Sequence, residues 1–168
     1  VWSGINYKDA LAVTGAGKIL RKFPLVAGID TAGTVVSSAD PRFGVDAAVV
    51  VTSAGLGETR DGGFAEYARL AADAVIPLPA RFNLREAMAL GTAGFTAALA
   101  VHSMEQNGQT PALGPIAVSV ATGGAGSVAI DLLAGRGYEV HAITNKAAAA
   151  TDYLRALGAA KVFSVTEL

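Results

Sequence analysis

The sequence predicts an α/β chain in which a small β-rich domain precedes the first half of a doubly wound parallel sheet. Three observations lead to this prediction. Short apolar runs separated by glycines dominate residues 1–85. From about residue 86 onward, strand-like and helix-like segments alternate. A glycine-rich turn at residues 121–126 joins the first strand and helix of this alternation.

The first domain, residues 1–85, is predicted from its strands and turns. Apolar and β-branched runs indicate three strands, at residues 48–52, 64–70 and 74–77. Glycines between these runs are typical of tight connections in a β domain.

The second domain, residues 86–168, is predicted from alternation. Asn83 and Glu86 form a plausible capping pair for a helix that glycines interrupt near residue 91. Strands and helices then alternate, with strands at 116–121, 139–143 and 161–165 and helices at 127–136 and 151–157. Such alternation implies right-handed βαβ crossovers and a parallel sheet. Because three strands are half of the usual six, we expect the chain to be a fragment that lacks the second half of this sheet.

The composition excludes several classes of protein. The 168 residues are 52% hydrophobic and 16% charged, a balance opposite to that of disordered chains. The net charge is −1, so we expect no nucleic-acid partner. The chain has no cysteine, which excludes disulfides and thiolate metal sites and fits a reducing compartment.

One apolar stretch could be mistaken for a membrane span. Residues 87–104 are long enough to cross a bilayer, but they contain glycines and His102. We therefore expect a buried helix, no membrane partner and, since no signal peptide is visible, a cytoplasmic location.

The glycine turn predicts a dinucleotide site. The sequence Ala121-Thr122-Gly123-Gly124-Ala125-Gly126 departs from the G-x-G-x-x-G motif at Ala121 alone. Gly123 lets the backbone approach a pyrophosphate, and Gly126 allows close packing of helix on strand. The N–H groups and the dipole of the following helix favour phosphate there, with Gly124 and Ala125 in its first turn. The alternative is a glycine turn that binds no ligand.

The end of the second strand indicates which dinucleotide binds. NAD sites usually carry Asp or Glu at this point, whereas this sequence has Thr144-Asn145-Lys146. No carboxylate repels a 2′-phosphate, and Lys146 supplies a positive charge, so NADP(H) is the predicted cofactor. The alternative is that these are ordinary polar residues at a strand end.

Four motifs carry a resemblance to a known family. They are G-I-N-Y-K-D at residues 4–9, P-L-V-A-G-I-D-T-A-G at 24–33, G-G-F-A-E-Y at 62–67 and G-T-A-G-F-T-A at 91–97. Together they resemble quinone-oxidoreductase-type members of the zinc-free branch of the medium-chain dehydrogenase/reductase superfamily. D-A-L-A-V-T-G at 9–15 and D-P-R-F at 40–43 resemble its acrylyl-CoA reductase subfamily.

The resemblance implies the fold and its missing parts. A GroES-like catalytic domain that lacks its N-terminus would be followed by a Rossmann domain that lacks its C-terminal half. It also implies a chain of about twice this length, NADPH as hydride donor and a homodimer joined through the cofactor domain.

The implied reaction is reduction of the activated C=C bond of an enoyl thioester such as acrylyl-CoA. Asn6 and Tyr7 would then line the catalytic cleft as hydrogen-bond donors, and Asp9 would hold a neighbouring group. Tyr7, Thr92 and Thr96 would lie against the cofactor. The alternatives are a packed tyrosine, a helix N-terminal carboxylate at Asp9 and a threonine in a helix break at Thr92.

The sequence leaves two further functions open and predicts no metal site. A quinone or small enone reductase is the main alternative, and a non-catalytic NADPH-binding protein is a second. His102 and His141 show no metal-ligand spacing, so no metal is expected, and Asp30 is interpreted as structural. With half of its sheet missing, the chain alone is expected to bind NADPH poorly and to be inactive.

Overall fold

The computed structural model describes residues 1–167 and divides the chain into two compact units, Val1–Thr92 and Ala93–Leu168. The first unit holds a short helix, α1, and three strands, followed by the start of a long helix, α2. Their bounds are α1 Tyr7–Thr14, β1 Asp30–Thr34, β2 Ala48–Thr52, β3 Ile76–Pro77 and α2 Leu84–Gln106.

The sheet of the first unit is antiparallel, in the order β1-β2-β3. β1 and β2 pair along their whole length, from Asp30 opposite Thr52 to Thr34 opposite Ala48. Burial alternates along β2, and its Val49 and Val51 are buried in the core of the first unit, as the apolar run predicted.

Two expectations about the first unit were wrong. Residues 64–70 form no strand, because the N–H groups at 62–64 donate to carbonyls of residues 26–28 and not to a sheet ladder. The expected strand at 74–77 is reduced to Ile76–Pro77 by a 3-10 turn at Ala72–Ala74.

Helix α1 was not predicted as an element. The Asp9 carboxylate accepts the Asn6 backbone N–H at 2.8 Å across the first turn, which stabilises the helix start. Gly15, with φ 69°, ends it in the left-handed conformation. The helix is only 8 residues long, so its periodic signal is weak.

Helix α2 begins at the predicted capping pair. Asn83 and Glu86 exchange two hydrogen bonds between side chain and backbone, each of 2.9 Å. Gly91 has φ 48° and ψ −149° and breaks the helix, as the glycines predicted. In the described chain, α2 alone is long and apolar enough to span a membrane. The break leaves residues 92–106, about 22 Å of helix, against a hydrocarbon core of about 30 Å.

The second unit contains three parallel strands in the order β4-β5-β6, as predicted. Helices alternate with them, and the bounds are β4 Ile116–Val118, α3 Gly124–Gly135, β5 Val140–Thr144, α4 Ala147–Ala156 and β6 Lys161–Ser164. Ile130, Val140 and Leu154 are completely buried in its core. β4 is shorter than expected because the backbone turns at Val120, which has φ 51°.

Tyr138 anchors the segment that leads into β5. Its hydroxyl donates to the Gln109 carbonyl at 3.1 Å, and its ring is buried in the core of the second unit. Burial, together with the nearby Glu105 carboxylate, raises the pKa of the phenol.

Candidate active site

A buried carboxylate organises the candidate catalytic residues of the first unit. Asp30, the first residue of β1, is 1% exposed. Its Oδ2 accepts from Asn6 Nδ2 and from the Thr92 backbone N–H, both at 2.8 Å. Its Oδ1 accepts from the Thr92 hydroxyl at 2.5 Å. The structure thus brings Asn6 and Thr92 together through a residue that sequence analysis interpreted as structural only.

Ser53 extends this group of residues and was missed by sequence analysis. Its Oγ lies 3.1 Å from Thr92 Oγ1. Ser53 and Ala54 follow β2 with φ values of 58° and 51°, a conformation that is uncommon outside glycine. The sequence Ser-Ala-Gly after a strand signals only a turn, so nothing local indicated this contact.

Gly91 explains why the break in α2 lies next to Asp30. A Cβ added there would lie 2.5 Å from Asp30 Oδ2. The break also releases the Thr92 N–H from the helix ladder, so that it can donate to the carboxylate. Thr92 therefore lies at a helix break, which was the alternative interpretation of this residue. It also belongs to the hydrogen-bonded group around Asp30.

Tyr7 and Asp9 have opposite environments. Tyr7 is 81% exposed, so the alternative of a packed tyrosine is wrong. Asp9 is buried, and its two oxygens accept the backbone N–H groups of Asn6 at 2.8 Å and Ile29 at 2.9 Å. Asp9 is therefore a helix-terminal carboxylate that positions Asn6, and the structure does not support a catalytic role. Thr96 lies at an exposed position of α2 in the second unit.

A large groove in the first unit is a separate feature. It has a volume of about 1440 Å³, and its lining includes Trp2, Phe43 and Phe64. None of Asn6, Tyr7, Asp30 and Thr92 lines it. The groups suited to chemistry therefore lie outside this groove.

The second unit contains the glycine turn in the predicted context. Gly123 precedes α3, and no side chain caps the first turn of that helix. A Cβ on Gly126 would lie 2.5 Å from the Val120 carbonyl oxygen, which confirms close packing of helix on strand. Ala121 is fully buried and its N–H donates to the Ile143 carbonyl at 3.1 Å, so its methyl group fits the core. Uncapped N–H groups behind a glycine turn suit a phosphate group.

The strand end beside this turn exposes two of its three predicted residues. Thr144 is 3% exposed, its Oγ1 lies 3.3 Å from Thr122 Oγ1, and it accepts the Lys146 N–H at 3.2 Å. Thr144 therefore holds the turn that follows β5. Asn145 and Lys146 are exposed, and Lys146 is the N-cap of α4.

No metal site is built from the part of the chain that the structure describes. Among residues 1–167, no three His, Asp or Glu side chains converge. His102 is exposed, while His141 Nε2 lies 2.7 Å from Glu139 Oε1.

Comparison with known proteins places this architecture in a family. Residues 1–80 match the alcohol dehydrogenase GroES-like domain. The chain is 47% identical over 167 residues to the acrylyl-CoA reductase AcuI of Ruegeria pomeroyi, covering 99% of this chain and 50% of that protein. It is 55% identical over 163 residues to the Bacillus subtilis protein named "Putative quinone oxidoreductase YhfP", covering 97% of this chain and 49% of that protein.

Two solved structures show the same fold. The Salmonella enterica yhdH oxidoreductase in complex with NADP has a TM-score of 0.96 and 48% identity, covering 99% of this chain and 51% of that one. The Bacillus subtilis yhfP protein with NAD bound has a TM-score of 0.93 and 53% identity, covering 98% of this chain and 50% of that one.

The chain belongs to the medium-chain dehydrogenase/reductase superfamily, with a GroES-like domain followed by part of a Rossmann domain, as the motifs predicted. Within that superfamily it is similar to proteins named as acrylyl-CoA reductase and as quinone oxidoreductase. It spans about half the length of these curated relatives.

Proposed function

We propose that the full-length gene product is an NADPH-dependent oxidoreductase that reduces the activated C=C bond of an enoyl thioester such as acrylyl-CoA. The observation that carries the proposal is the hydrogen-bonded group of Asn6, Asp30 and Thr92. It holds the Asn6 amide in one fixed arrangement as a donor, as stabilisation of a developing oxyanion requires. The name of the Ruegeria relative supports the same substrate class.

The second unit fits the cofactor. The uncapped start of α3 suits a pyrophosphate, and Gly126 allows the helix to approach the strand closely. One relative's structure contains NADP and another contains NAD, so this chain's own residues must decide between them. β5 is followed by Asn145 and Lys146 with no carboxylate, which favours the 2′-phosphate of NADP(H).

When bound, NADPH supplies a hydride to the β-carbon of the substrate. The π electrons of the C=C bond then move toward the carbonyl, and negative charge develops on its oxygen. The amide of Asn6 carries a second N–H beyond the one bound to Asp30, and it donates to that oxygen. The exposed phenol of Tyr7 supplies the proton that completes the reduced bond at the α-carbon.

A quinone or small enone reductase is the second candidate, because one relative is named as a quinone oxidoreductase. The test measures NADPH oxidation by the full-length gene product with acrylyl-CoA and a simple quinone in parallel, with NADH as control. Preference for acrylyl-CoA with NADPH supports the proposal. Preference for the quinone moves the function to the second candidate, and tight NADPH binding without turnover favours the non-catalytic one.

Four accompanying proposals concern the state of the enzyme. We propose that it is cytoplasmic, that it is a homodimer, that it works without a metal ion, and that the 168-residue chain alone binds NADPH poorly. Cell fractionation, light scattering, elemental analysis of the purified protein and titration of the isolated chain test them in that order. Recovery with membranes, a monomer, a stoichiometric metal or near-native NADPH affinity of the chain alone would each overturn one of them.

A further inference from the structure

Building on the proposed function, we propose that Asp30 is a positioning residue that fixes the direction of the hydrogen bonds offered to ligands by Asn6 and Thr92. In this arrangement Asn6 is held as a donor and Thr92 as an acceptor, with Ser53 completing the set on the Thr92 side. The assignment follows from which atoms carry hydrogens.

Asn6 can adopt only one amide orientation. A carboxylate oxygen accepts hydrogen bonds, so the group 2.8 Å from Asp30 Oδ2 must be Nδ2 and not Oδ1. A flipped amide would place two acceptor oxygens against each other inside the protein, where an unmade hydrogen bond is costly. One of the two Nδ2 hydrogens is used by Asp30, and the second points elsewhere as a donor.

Thr92 is fixed in the opposite sense. Its single hydroxyl proton is donated to Asp30 Oδ1 at 2.5 Å. Ser53 must therefore be the donor in its 3.1 Å contact with Thr92 Oγ1. Any other hydrogen bond made by this hydroxyl oxygen is therefore one that it accepts.

The two directions together define the ligand chemistry. A thioester or quinone carbonyl is an acceptor and matches Asn6. The carboxamide N–H of a nicotinamide nucleotide donates, and its sugar hydroxyls can donate, so both match Thr92. The carboxylate thus gives each of the two reactants a separate partner, and a substrate carbonyl placed against the Thr92 hydroxyl would leave two acceptors facing each other.

The backbone around Asp30 supports a functional origin of this arrangement. Ser53 and Ala54 adopt φ values of 58° and 51°, and Gly91 has φ 48° beside the carboxylate. Non-glycine residues persist in such conformations only where the surrounding structure holds them, and they concentrate at functional sites. Two non-glycine residues with positive φ therefore lie in the segment that brings Ser53 to Thr92.

The test is Asp30→Asn in the full-length gene product. The Thr92 backbone N–H can only donate, so the oxygen of the new amide keeps the Oδ2 position and its nitrogen faces the Thr92 hydroxyl. The substitution therefore reverses the Thr92 hydroxyl and leaves the Asn6 contact in place. We expect kcat/KM to fall about tenfold, because the reversed hydroxyl presents its hydrogen to donors on the ligand. Asp61→Asn is the matched control, since the Asp61 carboxylate accepts the Val26 N–H in the same unit, and it should stay within about twofold.

A double-mutant cycle separates positioning from general destabilisation. Thr92→Val alone should lower kcat/KM about tenfold, but by less than about threefold when Asp30→Asn is already present. Ser53→Ala removes only one hydroxyl and should raise the KM for NADPH with little change in kcat. Multiplicative effects of Asp30→Asn and Thr92→Val, or Asp30→Asn turnover within threefold of wild type, would overturn the proposal.

A second readout does not depend on turnover. In protein labelled at asparagine side chains with ¹⁵N, the Asn6 amide should show one downfield proton, which moves upfield in Asp30→Asn because the acceptor loses its charge. It should not move in Asp61→Asn. An Asn6 amide proton whose chemical shift does not change in Asp30→Asn would contradict the assignment. If wild type reduces none of the substrates, the proposed function fails while this measurement still decides the role of Asp30.

Discussion

The two candidate sites are built in contrasting ways. In the second unit, the turn at residues 120–126 and the strand end at 144–146 present mostly backbone N–H groups and exposed side chains. In the first unit, the side chains of Asn6 and Thr92 meet on the buried carboxylate of Asp30, and Ser53 contacts Thr92. The first kind of site depends on steric room for the backbone. The second kind depends on the charge and hydrogen-bonding capacity of individual atoms, so the two should fail in different ways.

The largest expected effect is loss of steric room at the glycine turn. In Gly126→Ala, the added Cβ would lie 2.5 Å from the Val120 carbonyl oxygen and 3.0 Å from the Ala121 Cα. Because backbone lies on that side, we expect a loss of about 3 kcal/mol in the free energy of unfolding and an NADPH Kd raised more than about 100-fold. Denaturant unfolding and calorimetric titration measure the two quantities.

Gly135→Ala is the control for this substitution. Gly135 ends the same helix, and an added Cβ would meet nothing within 4 Å. It should change the free energy of unfolding by less than about 1 kcal/mol and leave NADPH binding intact. Wild-type affinity in Gly126→Ala would show that the turn does not bind the cofactor.

The next effect is a change of charge in the first unit with no change of shape. Asn6→Asp places a second carboxylate where Nδ2 now lies 2.8 Å from Asp30 Oδ2. We expect kcat to fall about 100-fold while the NADPH Kd stays within about threefold. Part of the activity should return as the pH is lowered, because one of the two carboxylates then takes up a proton. A kcat unchanged from wild type, measured from pH 5 to pH 8, would remove Asn6 from the mechanism.

A smaller effect separates the two dinucleotides. Lys146→Ala should raise the Kd for NADPH about tenfold and leave the Kd for NADH unchanged, because only NADPH has a 2′-phosphate. Lys161→Ala is the matched control, since Lys161 lies at the amino end of the parallel strands, where β6 begins, whereas Lys146 follows the carboxyl end of β5. Equal losses for NADPH and NADH, or equal losses in both variants, would show that Lys146 does not recognise the phosphate.

The smallest effect concerns backbone strain at the cofactor turn. Val120 has φ 51° and a side chain that is 74% exposed, so its strain is not balanced by burial. Val120→Gly should raise the free energy of unfolding by about 1 kcal/mol. Val36→Gly is the control. Val36 is also exposed but does not have a positive φ, so this substitution should lower the free energy of unfolding. A loss of stability in Val120→Gly would mean that this side chain packs in the full-length protein.

The contrast between the sites also explains what the sequence could predict. The glycine turn, the parallel strands and the break at Gly91 were predicted because each depends on residues close together in the chain. Helix α1 was not, because its 8 residues give a weak periodic signal. The irregular segment 64–70 was not, because tertiary hydrogen bonds at residues 62–64 overrode its local preference for a strand. Motif resemblance indicated Asn6 and Thr92 but not their shared partner.

Local sequence patterns could not predict the roles of Asp30 and Ser53 either. Their roles depend on contacts with residues far away in the sequence, which only the folded chain brings together. Thr144 was singled out from its position at the strand end, and its burial and its contact with Thr122 add a supporting role that only the folded chain shows.

The most direct test of the proposed reaction follows the hydrogen itself. The full-length gene product is incubated with acrylyl-CoA and NADPH carrying deuterium at C4, on each face in separate reactions, and propionyl-CoA is analysed by mass spectrometry. We predict one deuterium at the β-carbon from one of the two labelled faces, and a solvent proton at the α-carbon. NADPH oxidation without propionyl-CoA, or propionyl-CoA without deuterium from either face, would contradict direct hydride transfer to an enoyl thioester.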